Sequence, residues 1–332
     1  MAANMDGWSP QPPPAAPAGF SFDKEFPGLH WHQRWELFNG VFTPGRNDVA
    51  RLADFAGLPR DLRGLRVLDI GAWHGCFSFE CERRGASEVV ALTMEPDEST
   101  GFSRLAHAAG SRVVRNVPGT AYHLDQRELG HFDLVLFFGV LYHLRYPLLA
   151  VDNIRNICRG TVLIESHVID DSWLHRRQPN APLMPLHRLH PTLSEVPLWR
   201  YYYDGELLGD GSNFFGPNCQ AVLDAFASAG FESRLIYRWG DRATFEAVAK
   251  VGLTEVLRDS YEIQCGTNRD FFQLAQGSPA PVANPPQAQL HLPPPPLPSP
   301  HLPSPPLPSP PRRLWQRALR KLLRTVGSRP KA

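Results

Sequence analysis

Short apolar runs recur along this chain, and a segment of helical character follows each of the first ones. The runs are RVLDIG (66–71), EVVALT (88–93), RVVRNV (112–117), FDLVLFFG (132–139) and TVLIESHVI (161–169). Runs this short and this continuously apolar suit strands covered on both faces. Between them, the helical stretch Phe77–Arg84 stops at Gly85, residues 103–109 stop at Gly110, and a helix is expected over Pro147–Cys158. Such alternation builds a parallel sheet with helices on both sides. Past residue 216 the rhythm resumes with a helix over Pro217–Ala229 halted by Gly230, a sixth strand FESRLIYRW (231–239) and a seventh at RDFFQLAQ (269–276). The expected fold class is α/β, with a mainly parallel seven-stranded sheet.

This pattern sets the domain boundaries. Residues 1–19 are rich in Pro and Ala and read as disordered. Residues 20–60 hold dense aromatics and a short amphipathic stretch, expected to form an N-terminal cap on the main domain, 61–277. Within that domain 170–216 breaks the alternation; an insertion of this length is expected to be a lid over the site. Residues 278–311 carry the repeat HLPPPPLPSP and HLPSPPLPSP, an extended Pro-rich linker. Residues 312–332 place Leu314, Trp315, Leu319 and Leu322 on one helical face and Arg313, Arg317, Arg320 and Lys321 around the other. A basic amphipathic helix of this form suits an anionic membrane surface, a protein partner or nucleic acid.

Charge follows the same division. The whole chain has a formal net charge of +1, yet 278–332 contains eight basic residues and no acidic one. The remainder carries 26 basic residues against 33 acidic ones, a net of −7. The five cysteines are odd in number and lack metal-site spacing, so free thiols in a reducing compartment are expected. No apolar run suits a signal peptide or a membrane span, which makes a cytoplasmic location the expectation, with the basic helix able to hold the protein at the inner face of a membrane.

The segment DIGAWHG, Asp69 to Gly75, joins the first strand to its helix. Open parallel sheets bind ligands at the carboxyl ends of their strands. Gly71, Ala72 and Gly75 allow close backbone approach, but Trp73 stands where a dinucleotide fingerprint wants its second glycine. An acidic residue followed by a glycine-rich turn instead suits S-adenosylmethionine, with Asp69 orienting the turn or the cofactor's amino group. The second strand ends in Thr93, where a carboxylate usually holds the ribose hydroxyls; Glu95 or Asp97 is the substitute. The fourth strand breaks at Gly139 and delivers Tyr142 and His143. His143 is the first candidate for a base or a wall of the pocket, Tyr142 borders the site, and His167 beyond the fifth strand is the second candidate base. In the lid, Trp199, Arg200, Tyr201, Tyr202 and Tyr203 either stack on a sugar ring or base or pack the insertion onto the core. Asn213 is a further substrate candidate, and Asn218 suits a helix start.

Taken in order, LRGLRVLDIGAWHG, FDLVLFFGVLYHLRYPLLAVDNI, VLIESHVID and NFFGPN followed by a helix and GFE resemble the class I S-adenosylmethionine-dependent methyltransferases, with a Rossmann-like fold. The closer resemblance, over about 61–275, is to the tRNA wobble-uridine (5-methoxyuridine/carboxymethyl) methyltransferase family. That family uses a carboxylated cofactor, carboxy-S-adenosylmethionine, bound through basic residues and a tyrosine. Tyr142 matches the tyrosine, and Arg269 sits where the family places an arginine. The family's lysine has only Lys24 as a counterpart at an unconvincing spacing, so ordinary S-adenosylmethionine is expected. A tRNA enzyme must also neutralise several phosphates, which a body of net −7 does poorly. The expected acceptor is therefore a sugar, glycan or other small hydroxyl compound. tRNA is the alternative acceptor, and Thr93 keeps open a cofactor-binding protein without catalysis.

Overall fold

A computed structural model describes residues 8–172 and 184–250. The segments 1–7, 173–183 and 251–332 lie outside it, and with them Arg269, the strand expected at 269–276, the Pro-rich linker and the basic helix.

Seven strands form the central sheet: β1 (Arg66–Ile70), β2 (Glu88–Thr93), β3 (Val114–Pro118), β4 (Phe132–Phe138), β5 (Cys158–His167), β6 (Phe231–Trp239) and β7 (Arg242–Ala249). Their spatial order is β6-β7-β5-β4-β1-β2-β3. The pairs from β3 to β5 are parallel, whereas β7 runs antiparallel to both β5 and β6. Four main helices flank the sheet: α1 (Cys76–Arg83), α2 (Phe102–Ala109), α3 (Pro147–Ile157) and α4 (Cys219–Ser228).

Alternation along β1 shows why the strands are apolar throughout. Leu68 and Ile70 join one core with Val135, Phe137, Phe226 and Phe245, while Val67 joins the other with Leu134, Leu136 and Phe79. Both faces are covered, as a parallel sheet requires. Truncating Phe226 or Phe245 to Ala would cost about 3–5 kcal/mol.

The seventh strand of the described sheet lies where the sequence suggests none. It is Arg242–Ala249, which returns directly from β6 through a tight turn at Gly240 and Asp241. The sequence RATFEAVA holds three Ala and one Glu among its eight residues, and a strand there becomes stable only when β5 and β6 cover its edges. The helix expected from Pro217 begins two residues later. Pro217 belongs to a ribbon in which Trp199–Tyr201 pairs antiparallel with Phe215–Pro217, and Asn218 caps α4 by accepting from the Ala221 N–H. This ribbon anchors the described part of the lid, with Tyr202 packed among Ile169, Leu186 and Leu207.

At the other end, residues 8–19 lie extended on the body rather than as the disordered terminus expected from composition. Gln11 N–H donates to the Arg83 carbonyl at 2.9 Å and Asn39 N–H donates to the Pro14 carbonyl at 2.9 Å. The aromatic segment beyond packs against α1: Trp35 Nε1–H donates to Glu80 at 3.1 Å, and the Arg83 guanidinium lies 3.9 Å from the Trp35 ring. Cys76, Cys81, Cys158 and Cys219 are buried free thiols. Among the described residues, no helix is long and apolar enough to cross a membrane, and no cluster of His, Cys, Asp or Glu could hold a metal ion.

Candidate functional site

The loop after β1 is held by backbone bonds and by close packing. The N–H groups of Gly71 and Ala72 both donate to the Leu92 carbonyl, at 2.8 and 3.0 Å, which ties the loop to the end of β2. Gly71 has φ +75°, and a Cβ there would lie 2.5 Å from Val140 Cγ2. Gly75 has φ +82°, and its Cβ would meet the Phe102 ring at 2.3 Å. Trp73 takes φ 52° without being glycine, a strained conformation, and its buried indole N–H has no hydrogen-bond partner among the described residues. An orphaned donor in a strained loop is unusual unless a ligand's acceptor meets it.

Asp69, one residue before the end of β1, is 3% exposed and accepts the Ser78 hydroxyl at 2.6 Å. Burial pushes its carboxyl up to about 6, partly opposed by the Ser78 hydrogen bonds. The cap segment covers the neighbouring turn: His74 Nδ1–H donates to the Thr100 carbonyl at 2.6 Å, His32 N–H reaches His74 Nε2 at 3.4 Å, and Trp31 stacks on His74. The start of α1 is not left open for a carboxylate, since Gln33 Oε1 accepts from the Cys76 N–H at 3.3 Å.

At the end of β2 the buried Thr93 donates its hydroxyl to Glu95 Oε2 at 2.6 Å. Thr93 thus draws the Glu95 carboxylate back to the strand end, where ribose hydroxyls are usually held.

Gly139 closes β4 with its N–H on the Glu165 carbonyl at 2.9 Å, and a single 3-10 turn, Leu141–His143, follows. The Tyr142 and His143 rings lie 4.2 Å apart. Burial holds the Tyr142 phenol above its usual range and the His143 imidazole below its own. Arg242, the first residue of β7, sets its guanidinium 4.9 Å from the centre of the Tyr142 ring. Its Nε and Nη2 donate to the two oxygens of Glu165 at 2.5 and 2.6 Å. Burial would lower the Arg242 pKa, but the Glu165 carboxylate outweighs it and keeps the guanidinium charged.

His167 lies across Tyr142, with ring centres 6.2 Å apart. It is 2% exposed, its Nε2 bonded to the Tyr202 hydroxyl at 2.8 Å and its Nδ1 facing Asp241 at 3.5 Å. Both nitrogens of His167 are thus engaged within the protein. The residues Arg200–Tyr202 of the insertion also divide. Tyr202 is 1% exposed and Arg200 is buried with its guanidinium 4.7 Å from the Tyr202 ring and 3.6 Å from Glu206, so both pack the insertion onto the core. Tyr201, 41% exposed, remains at the surface with Arg145 donating to its hydroxyl. Asn213 donates to the Leu207 carbonyl at 3.1 Å, and its buried Oδ1 has no partner among the described residues.

Arg242, Glu165, Asp241, Asp210 and Ser212 were not singled out from sequence. A charge inside the apolar run TVLIESHVI was the readable signal for Glu165. The others depend on contacts between distant parts of the chain.

Residues 44–232, more than half of the chain, match the family described as a methyltransferase domain. The chain belongs to this methyltransferase family. The tRNA U34 carboxymethyltransferase of Dichelobacter nodosus is 29% identical over 140 residues, 41% of this chain and 44% of that protein. The tRNA U34 carboxymethyltransferase of Campylobacter hominis is 27% identical over 144 residues, 42% of this chain and 50% of that protein. The methyltransferase thus spans half or less of the length of these relatives. An S-adenosylmethionine dependent methyltransferase from Mesorhizobium loti superposes with a TM-score of 0.45 at 15% identity, over 60% of this chain and 98% of that chain. The span matched by the family holds the Asp69–Gly75 loop, Glu95, Tyr142, His143, His167 and the described lid of this methyltransferase, while Asp241 and Arg242 lie beyond it.

Proposed function

We propose that the protein is an S-adenosylmethionine-dependent O-methyltransferase acting on a hydroxyl of a sugar or other small acceptor. The observation that carries this reading is His143, a near-neutral imidazole placed by the β4 terminus beside Tyr142 and kept below its ordinary pKa by burial. The groups present fit the cofactor: Trp73 offers an unmet donor, Glu95 a carboxylate at the β2 end, and Gly71 and Gly75 a tight turn. Bound S-adenosylmethionine supplies a methyl group activated on a sulfonium centre. The chain's part is to hold the acceptor in line, with Tyr142 walling the site, and to take up the acceptor's proton.

A second reading has an observation of its own. Arg242 beside Tyr142 is an arginine–tyrosine pair of the kind expected for a carboxylated cofactor. It favours transfer to a tRNA wobble uridine, as the relatives' names suggest. Against it stand the Glu165 carboxylate already holding two Arg242 nitrogens and the net charge of −7 over 1–277.

Calorimetry with S-adenosylmethionine and its demethylated product tests binding, and failure of both to bind would sink either reading. Transfer of labelled methyl from the cofactor into lysate fractions then separates the two. Label in polysaccharide, lipid-linked glycan or small molecules supports the first; label in tRNA alone overturns it.

A further inference from the structure

The hydrogen bonds around His143 carry information about which of its nitrogens holds a proton. Nδ1 lies 3.2 Å from the Ser212 backbone carbonyl and 3.0 Å from Ser212 Oγ. The carbonyl can only accept. The Ser212 hydroxyl has one proton, and that proton goes to Asp210 Oδ1 at 2.7 Å. Both neighbours of Nδ1 are therefore acceptors, so Nδ1 carries the hydrogen and the lone pair lies on Nε2. Among the described residues Nε2 has no hydrogen-bond partner, nor is it one of the buried unpartnered atoms.

The loop that supplies these acceptors is itself fastened to the His143 turn. Ser212 N–H donates to Asp210 Oδ1 at 2.8 Å, Phe214 N–H donates to the Tyr142 carbonyl at 2.9 Å, and Asn213 N–H reaches the Asp210 carbonyl at 3.3 Å. The lid and the β4 turn thus share one hydrogen-bonded frame.

We propose that Asp210 and Ser212 are positioning residues that fix His143 as the Nδ1–H tautomer, so that Nε2 is the base for the acceptor hydroxyl. This rests on the reading of the protein as an O-methyltransferase and adds the device that prepares its base. In the step, the acceptor's O–H bond breaks, an N–H bond forms at Nε2, and the electron pair stays on the acceptor oxygen for the incoming methyl. The imidazolium so formed donates from Nδ1 toward Ser212, and the Asp210 carboxylate offsets its charge through the serine hydroxyl. The other charged groups that act on His143 are Arg242 and Glu95, with Tyr142 against its ring face. Asp210 and Glu95 favour the imidazolium and Arg242 opposes it.

Long-range proton–nitrogen NMR on the full chain with isotope-labelled histidine tests this without any acceptor. The His143 signals are assigned by their loss in His143→Gln. The wild-type ring is expected as the Nδ1–H tautomer. Ser212→Ala should move the tautomer ratio by about three- to tenfold toward Nε2–H, the worth of one hydrogen bond, and Ser212→Thr should restore it. Asp210→Asn should lower the His143 pKa by about half a unit to one unit, because an anion that favours the imidazolium is gone. An Nε2–H tautomer in the wild type, or a His143 titration unchanged in Asp210→Asn, overturns the proposal. Calorimetry with S-adenosylmethionine runs alongside: absence of cofactor binding refutes the methyltransferase reading while the tautomer is still read.

Discussion

Gly71 and Asp69 show how closely the loop after β1 is specified. A methyl group at Gly71 would meet Val140 Cγ2 at 2.5 Å in a backbone conformation that L-residues resist. Gly71→Ala is therefore expected to cost about 1–3 kcal/mol and to weaken cofactor binding, read by thermal denaturation and calorimetry. Asp69 behaves differently. Its carboxyl is raised to about 6 from an ordinary 3.8, so the folded state binds a proton more tightly than the unfolded chain. The stability tied to that proton is full below the unfolded value and is lost as pH rises through about 6. Asp69→Asn should thus raise stability near neutral pH by about 1–3 kcal/mol, with the advantage vanishing in acid, while cofactor affinity falls. Denaturant titrations at neutral and acid pH would check both limbs. At His143, replacement by Ala should lower turnover about a hundredfold or more with cofactor affinity unchanged. Because burial lowers its pKa, the neutral base persists below the ordinary histidine value of about 6.5. The rate should rise with pH to a plateau, its acid limb lying below that value in a pH–rate profile.

The elements that the sequence made legible are those whose signal is local. RVLDIG, EVVALT and FDLVLFFG are apolar on both faces because β1, β2 and β4 are covered on both faces, and DIGAWHG lies between a strand and a helix as its glycines require. β7 was not legible, since RATFEAVA owes its extended form to neighbours on either edge rather than to its own residues. The same non-locality hid the ion pair that crosses the site, because Glu165 and Arg242 are 77 residues apart. The insertion left two readings open for a related reason: along Trp199–Tyr203, stacking on a ligand and packing onto the core look alike in sequence, and only the fold shows that Arg200 and Tyr202 are buried while Tyr201 and Tyr203 are exposed. The Glu165–Arg242 pair supplies a prediction for β5 and β7 together. Glu165→Ala leaves a largely enclosed guanidinium without its counter-ion and should cost about 2–4 kcal/mol, whereas Glu165→Ala combined with Arg242→Met should recover part of that loss in a double-mutant cycle.

Across the whole molecule the acidic body and the basic 312–332 segment are distinct in charge, and the latter belongs to the proposal by its sequence alone. If it seats on an anionic membrane, full-length protein should co-sediment with vesicles containing anionic lipid and lose that binding by tenfold or more when Arg317, Arg320, Lys321 and Arg324 are replaced by Gln, at roughly 1 kcal/mol per charge. Equal binding by both forms would refute the membrane role and leave a protein or nucleic-acid partner.

The hairpin turn at Gly240 matters for the order in which the molecule comes into being. Asp241 and Arg242 are neighbours on the chain, and they face His167 and Glu165, the buried polar groups at the end of β5. A ribosome makes the chain from the N-terminus, so β1, β2, β4 and β5 emerge with the cofactor loop while Glu165 still lacks its cation. Glu165 gains its counter-ion only when β7 takes its place between β5 and β6. The Glu165–Arg242 ion pair and the His167–Asp241 contact therefore close together, when β7 pairs with β5, and belong to the last-made part of the described sheet.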